Sequence, residues 1–384
     1  MTQERILYYV WYTLASDFRP GSKNDVMIND VEKIYAADKK ALIEMGFSEK
    51  RAEKLSNKSL DRPREILEWC KRHGCAVMSF ENDLYPSALA SANAPVVLYV
   101  KGNVRALNGN FSVGVVGTRS STPKGEELTR SVVGELVKKG VCIVSGGADG
   151  IDTAALKTAL NAKGSCVAVM GCDIDKYYPS HNFAFFQEMQ SSTGAVISEY
   201  PPGTNARWFA DRNRIIAGLS DRVFVPEAPL GSGALITAEH ASRLKVPVIT
   251  PNFEGDSFEG CRQLIGRGAV KYESPEKITE RQEFVPLIPL KSKTVDSSPK
   301  KNAVPKKSKT AEIKKTIPEM NTGPREYNSS IFCHIAKCIK EGRDIPDKMC
   351  TPEFPMRLIL SALTELEIKG EIENIAGNRF IFKR

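Results

Sequence analysis

Residues 209–240, FADRNRIIAGLSDRVFVPEAPLGSGALITAEH, contain the pattern that decides the fold. Within them an apolar run, residues 222–226, ends in Glu227 and a loop with two glycines, Gly231-Ser232-Gly233. An alanine-rich helical pattern follows, so the order predicts a buried strand, a loop and a helix N-terminus. Backbone N–H groups and the helix dipole favour anions at such a terminus. The stretch therefore predicts a phosphate site at the carboxyl end of a strand.

Two arginines lie just upstream of this strand. Arg212-Asn213-Arg214 begins a helical segment and places two guanidinium groups close to the same sheet edge. A guanidinium matches a phosphate bidentately and stacks on nucleobases. The pair therefore favours a phosphate-rich ligand.

Working outward, short apolar strands alternate with helical segments through the middle of the chain. The predicted strands are residues 94–100, 111–116, 141–144, 165–170, 195–198, 223–225 and 246–249. Continuous apolar strands between helices predict an α/β fold, an extended Rossmann-like, doubly wound parallel sheet covered on both faces. Ligands of such sheets bind beyond the carboxyl ends of the strands.

Three glycine-containing loops fall at those ends. They are Gly117-Thr118-Arg119, Ser145-Gly146-Gly147 and Gly231-Ser232-Gly233. Any one of them has an alternative interpretation as a tight turn that needs glycine only for packing. Together with the arginines they favour a phosphate-rich ligand. For Arg119 a solvated salt bridge to a neighbouring acid such as Asp149 remains an alternative.

Several chemistries are disfavoured. The run from Gly114 to Gly117 lacks the spacing of the dinucleotide fingerprint, and no glycine-lysine-serine/threonine run of a Walker A loop occurs. His181 and His240 have no obvious catalytic partner, because the sequence offers no serine or cysteine in a nucleophile-elbow motif. Cysteines and His334 near the C-terminus match no zinc spacing. We therefore expect no cofactor, no metal and no catalytic residue.

The charge is concentrated in one segment. The net charge is +8, yet residues 291–316 alone hold nine lysines against Asp296 and Glu312. This lysine-, serine- and proline-rich composition predicts a disordered basic linker over residues 289–324. Nine cysteines without regular pairs, and no signal peptide or membrane-spanning stretch, predict a cytoplasmic protein without membrane insertion.

The flanking regions predict two smaller domains. Residues 1–84 have helical patterns, with a glycine turn at Gly46 typical of a helix-hairpin-helix or SAM-like bundle. Residues 325–384 predict helices followed by a hairpin, the order of a winged-helix domain. Either domain has two open interpretations, contact with DNA or contact with protein. The central α/β domain is then residues 85–288.

One set of motifs, in this order and spacing, closely resembles the DNA-processing protein A family, also called DprA or Smf. The motifs are YP at 85–86, APVVLYVKG at 94–102, VGTR at 116–119, SGGADGID at 145–152, YP at 178–179, ISEYPPG at 197–203, RNRIIAGLS at 212–220 and SGALIT at 232–237. The resemblance covers about residues 80 to 272. The bundle and the winged helix resemble accessory domains of some members.

The resemblance implies a protein that is not an enzyme. It implies binding of single-stranded DNA, a homodimer, and loading of the RecA recombinase onto incoming DNA in natural transformation and homologous recombination. The DNA-binding residues predicted on this basis are Gly117, Arg119, Lys124, Ser145, Gly146, Gly147, Arg212, Asn213, Arg214, Gly231, Ser232 and Arg262. Asp149 stands where the family usually has arginine, and Arg262 where it often has asparagine. For the dimer we expect Ile236, Leu244 and Val246 to contribute.

An enzyme on small nucleotides is the alternative. Rossmann-like phosphoribohydrolases use a glycine-rich loop followed by a glutamate that acts as acid or base. The corresponding run here, residues 230–239, ends in Glu239 but has different spacing. Glu239 would then carry the chemistry.

Overall fold

The structure is a computed structural model that describes residues 3–15, 30–89, 94–109, 111–205, 207–280, 285–288, 330–341, 349, 351, 363, 366, 372–375 and 379–382. The chain forms two compact units, Met1–Pro289 and Leu290–Arg384. The predicted linker and most of the second predicted helix of the C-terminal domain lie outside the described residues. The domain boundaries proposed from the sequence stay predictions.

The larger unit contains helices that precede, cover and follow one sheet. They are α1 (Gln3–Ala15), α2 (Val31–Ala36), α3 (Lys39–Glu44), α4 (Glu49–Leu55), α5 (Asp61–Arg72), α6 (Pro123–Lys138), α7 (Ile151–Asn161), α8 (Phe183–Gln190), α9 (Phe209–Gly218), α10 (Ala234–Arg243), α11 (Glu259–Gly266) and α12 (Pro275–Thr279). The glycine turn between α3 and α4 is present, with Gly46 at φ +97°. That left-handed conformation suits glycine because it has no Cβ.

The sheet of this unit has nine strands. They are β1 (Cys75–Ser79), β2 (Val97–Gly102), β3 (Ser112–Val115), β4 (Cys142–Ser145), β5 (Cys166–Val169), β6 (Ala195–Ser198), β7 (Arg222–Phe224), β8 (Val248–Thr250) and β9 (Val270–Lys271). Their order is β1-β2-β6-β5-β4-β3-β7-β8-β9. The strands from β6 to β9 in this order are parallel, whereas β2 is antiparallel to both β6 and β1. The predicted α/β, Rossmann-like fold is confirmed, with an antiparallel edge.

Strand β1 corrects the helical prediction for residues 1–84. Cys75 packs into the core on one face of the sheet and Met78 into the core on the other. A five-residue apolar run, CAVMS, does not distinguish a strand from a helix by its periodicity. These residues form a strand because β1 pairs with β2, and in this pairing Val77 lies opposite Tyr99.

Both faces of the sheet are buried, as continuous apolar strands require. Ile143 of β4 packs into the core formed with α1, α6, α7 and α8, and Val144 packs into the core formed with α9, α10 and α11. The chain proceeds from β3 outward through β4, β5 and β6, and then crosses to place β7 on the other side of β3. Loops that follow β3 and β7 therefore leave the sheet in opposite directions, and ligands bind at such a reversal.

The smaller unit is described in part. Helix α13 (Ser330–Lys340) and an antiparallel hairpin of β10 (Ile372–Ile375) and β11 (Arg379–Phe382) are present. The predicted hairpin is thus observed, while the winged-helix assignment stays a prediction. No helix among the described residues is long and apolar enough to cross a membrane.

Candidate nucleic-acid interface

Strands β3 and β7 are hydrogen-bonded neighbours, and their loops start side by side. Val116 N donates to Phe224 O at 3.2 Å, and Thr118 N donates to Glu227 O at 2.9 Å. The predicted loops Gly117-Thr118-Arg119 and Gly231-Ser232-Gly233 therefore begin from one point on the carboxyl edge. This is the point at which the strand order reverses.

A buried carboxylate binds the N-cap residue of α6, the helix that follows β3. Glu227 is fully buried, and its carboxylate accepts from Thr122 N at 2.9 Å and from Thr122 Oγ1 at 3.1 Å. Thr122 caps α6, so the negative charge lies where the helix dipole favours it. A Cβ on Gly125 would collide with Glu227 Oε2, so glycine is required at that position. The N-terminus of α6 is thus neutralised from within the protein.

Asp152 plays the same part for the predicted phosphate loops after β3 and β4. Its carboxylate accepts from Gly117 N at 3.4 Å and from Gly146 N at 3.1 Å. Burial raises the pKa of Asp152, and the nearby charge of Arg212 opposes that rise. Two N–H groups predicted to face a phosphate are therefore bound to an internal acid.

The other residues of the second predicted loop, Ser145 and Gly147, also contact the interior of the protein. Ser145 is buried and its hydroxyl donates to Val115 O at 2.6 Å. Gly147 has φ +69°, and a Cβ there would lie 2.8 Å from the ring of Phe186. Ser145, Gly146 and Gly147 hold β3, β4 and α8 together beneath the edge, and any contact they make with DNA stays a prediction.

Arg212 and Arg214 point into the protein. Arg212 is 5% exposed, and its Nη1 donates to Gly146 O at 2.8 Å and also to Val169 O. Burial lowers the pKa of Arg212 to about 10, so the group stays charged at neutral pH. Arg214 forms an ion pair with Glu199, and both side chains are buried. The acids that lie just after or beside the strand ends were not predicted to have these roles: Asp152, Glu199 and Glu227.

Arg119 is different, because its side chain is exposed to solvent. Within the described part of the chain it forms no salt bridge, and Asp149 instead contacts His181, with 2.8 Å between Oδ1 and Nε2. The salt bridge to Asp149 that the sequence left open is therefore not the observed arrangement. Gly150, at φ +72°, lets the next loop pack on Arg119, since a Cβ there would lie 2.7 Å from Arg119 O.

The loop after β7 leaves the N–H groups of its two glycines open. Gly231 and Gly233 are exposed, and no heavy atom lies within 4 Å of a Cβ built on either. Their backbone N–H groups have no acceptor among the described residues. Asn213 Nδ2 donates to Gly233 O at 3.4 Å, and Ser232 Oγ accepts from Ala234 N at 3.4 Å. Unlike the other two loops, this one has no internal carboxylate bound to its N–H groups among the described residues.

Lys124 and Arg262 meet at the loop that follows β8. The exposed Lys124 Nζ lies 3.8 Å from the ring centroid of Phe253, a cation–π contact. Arg262 Nη1 donates to Phe253 O at 2.6 Å, and its Nη2 forms an ion pair with Glu259. The charge of Arg262 is therefore compensated, whereas Lys124 presents a cation above an aromatic ring.

The residues considered for catalysis are engaged elsewhere. Glu239 lies on α10, beyond the glycine loop, and its Oε1 is 2.5 Å from Arg267 Nη2. His240 is half-buried, and burial lowers its pKa. Among the described residues no cluster of three or more His, Cys, Asp or Glu side chains could hold a metal ion.

A family model and relatives of known sequence indicate one family. The model of the DNA recombination-mediator protein A family matches residues 76–283. The chain is 30% identical over 355 residues to "Protein Smf" of Synechocystis sp., covering 87% of each chain. It is 38% identical over 211 residues to "DNA processing protein DprA" of Streptococcus pneumoniae, covering 54% of this chain and 74% of that protein.

A solved structure of this family is similar over most of the chain. The X-ray structure of DNA processing protein A from Streptococcus pneumoniae has a TM-score of 0.63 and 29% sequence identity, and covers 73% of this chain and 99% of that one. The similarity extends beyond the sheet, because 73% of the chain is more than the region that the family model matches.

Proposed function

The chain belongs to the DNA recombination-mediator protein A family, and from this premise we propose that it binds single-stranded DNA and loads a RecA-class recombinase onto it. Its role is in homologous recombination and in natural transformation, and it acts in the cytoplasm without enzymatic turnover. The observation that carries the proposal is that the exposed, unpaired Arg119 and the open N–H groups of Gly231 and Gly233 belong to two loops that start side by side at the carboxyl edge of the sheet.

Geometry and charge divide the predicted site into an outer and an inner layer. Arg119, Lys124 and the loop of Gly231 and Ser232 are accessible, and they supply two cations and a helix N-terminus to a phosphate backbone. Beneath them Arg212, Arg214 and their acid partners fix the ends of β4, β5 and β6. We propose that the outer layer contacts DNA. The inner layer then holds the residues of the outer layer in place.

The first test is a salt titration of binding to single-stranded and double-stranded oligonucleotides by fluorescence anisotropy. We expect a preference for single strands that persists as the salt concentration rises. We also expect the oligonucleotides to be neither cleaved nor modified. The enzyme alternative is examined with nucleoside monophosphates, where release of free base would contradict the proposal. Binding of neither strand type at low salt would also contradict it.

Recombinase loading has a separate readout. We expect the protein to shorten the lag before a RecA-class recombinase hydrolyses ATP on a single strand coated with single-strand-binding protein. An unchanged lag at saturating protein would limit the function to DNA binding.

The basic linker should contribute attraction without strand preference. Deletion of residues 291–317 removes nine lysines and two acids, so it should lower affinity for single and double strands alike, by roughly tenfold at low salt. Anisotropy with both strand types measures this. Selective loss of single-strand binding would place the site in the linker instead of at the sheet edge.

We also propose a homodimer, because a mediator that works on a long strand benefits from several contacts. Of the residues expected at its interface, Ile236 is exposed, whereas Leu244 and Val246 are partly buried against the core of the sheet. Light scattering at tens of micromolar protein should give twice the mass of 42.3 kDa. A monomer mass would remove the dimer.

A further inference from the structure

Contacts to phosphate do not explain a preference for single strands. Arg119, Lys124 and open N–H groups recognise an anion that single and double strands both carry. A preference for unpaired strands requires contact with base faces, which a duplex keeps stacked. The outer layer therefore needs apolar groups that a splayed base can cover.

Two exposed aliphatic side chains bracket the open loop after β7. Leu230 is 56% exposed and immediately precedes Gly231, and Ile236 is 41% exposed in the first turn of α10. Between them lie the glycines whose Cβ positions are empty to 4 Å. The neighbours Ala234 and Thr237 are buried, so Leu230 and Ile236 are the exposed large apolar side chains of this stretch, and they flank the open N–H groups.

Removal of water from a large aliphatic side chain by a bound ligand is favourable. A leucine or isoleucine gains its full transfer free energy only when water is removed from its surface. The loop position is fixed from below, since Asn213 binds Gly233 O and Ser232 N donates to Pro229 O at 3.2 Å. Leu230 and Ile236 thus flank a loop that these hydrogen bonds support.

We propose that Leu230 and Ile236 form a base-contacting clamp, which packs against unpaired nucleobases while the N–H groups between them hold the phosphate. This inference rests on the proposed DNA binding and adds the source of its strand selectivity. It assigns Ile236 to DNA instead of to an interface between copies of the chain, so a homodimer would form through other residues. The ligand is the apolar face of any nucleobase, so the clamp favours single strands without reading sequence.

The test compares an oligothymidylate of about 12 nucleotides with an abasic oligonucleotide of equal length and charge, within the range that one such site covers. Wild-type protein should bind the oligothymidylate at least about tenfold more tightly. The double variant Leu230→Ala/Ile236→Ala should reduce that ratio by about fivefold or more, with an unchanged salt slope. The conservative variant Leu230→Met/Ile236→Leu should keep the ratio.

Two controls distinguish loss of the clamp from loss of charge and from loss of apolar surface elsewhere. Arg119→Ala should weaken binding to both oligonucleotides equally and leave their ratio unchanged. Leu84→Ala, which changes a 52% exposed leucine whose carbonyl oxygen accepts from Asn108 Nδ2 after β2, at the opposite edge of the sheet, should have no effect on either. Light scattering gives the mass of each variant.

The outcomes are distinct. If wild-type protein prefers the oligothymidylate and the double variant keeps the full ratio, the clamp is refuted and the proposed function stands. If the double variant changes the mass of the protein, the two residues belong to a contact between copies of the chain, and the inference is overturned. If wild-type protein binds neither oligonucleotide, the proposed function fails first.

Discussion

Glu199→Ala should lower the free energy of unfolding of the larger unit by about 3–5 kcal/mol, because it leaves a buried guanidinium without its partner. Glu199 is 2% exposed and Arg214 9% exposed, and they form an ion pair between the end of β6 and helix α9. Water cannot replace the lost carboxylate at such burial. Urea denaturation followed by tryptophan fluorescence measures the change, since Trp11, Trp69 and Trp208 all belong to this unit.

Two control variants isolate the cause of this loss. Glu199→Leu with Arg214→Met removes both charges together and should recover most of the stability, because no uncompensated charge remains. Glu135→Ala breaks an exposed pair with Lys138 on α6 and should change stability by less than about 1 kcal/mol. A loss in Glu199→Ala no larger than that of Glu135→Ala would show that the buried pair is dispensable.

Periodicity and loop position were enough to predict the sheet and its carboxyl edge. Strand periodicity depends on local residues, and both faces of the sheet are apolar, so the pattern survives in the sequence. The predicted order of strands and helices from β2 to β8 is observed. Strand β1 was missed because its short apolar run becomes a strand only through pairing with β2, which follows later in the chain.

The orientation of the two arginines could not be predicted from the sequence. RNR at the start of a helix has the same appearance whether its guanidinium groups face solvent or the protein interior. The guanidinium groups face the interior because Glu199 and the carbonyls of Gly146 and Val169 bind them there. These partners lie at the ends of strands other than the one nearest in sequence. Arg212 and Arg214 were predicted from charge, whereas their burial follows from tertiary neighbours.

A similar limit applies to glycine loops. A loop that offers N–H groups to phosphate and one that offers them to an internal carboxylate have the same residue types. Asp152 takes the N–H groups of Gly117 and Gly146, and Glu227 takes the N-terminus of α6. The loop at Gly231 has no such acid among the described residues, and this absence of a partner distinguishes it from the other two.

Arg119→Ala should weaken binding to single-stranded DNA by about 1–3 kcal/mol, because it removes a charge-assisted hydrogen bond to phosphate. Loss of one phosphate contact should also reduce the single-strand salt slope by about 0.7. Arg119 is exposed and unpaired, so the fold should persist, and thermal unfolding checks this. Anisotropy over a range of salt gives both quantities.

Arg105→Ala is the matched control for Arg119→Ala. Arg105 is also exposed, but it follows β2, whose end pairs with the start of β6, so it lies at the opposite edge of the sheet. The two substitutions remove the same charge and therefore the same long-range attraction. A larger loss of affinity at position 119 would show a direct contact with the DNA. Equal losses would mean that net charge alone attracts the DNA and that the carboxyl edge between β3 and β7 is not its site.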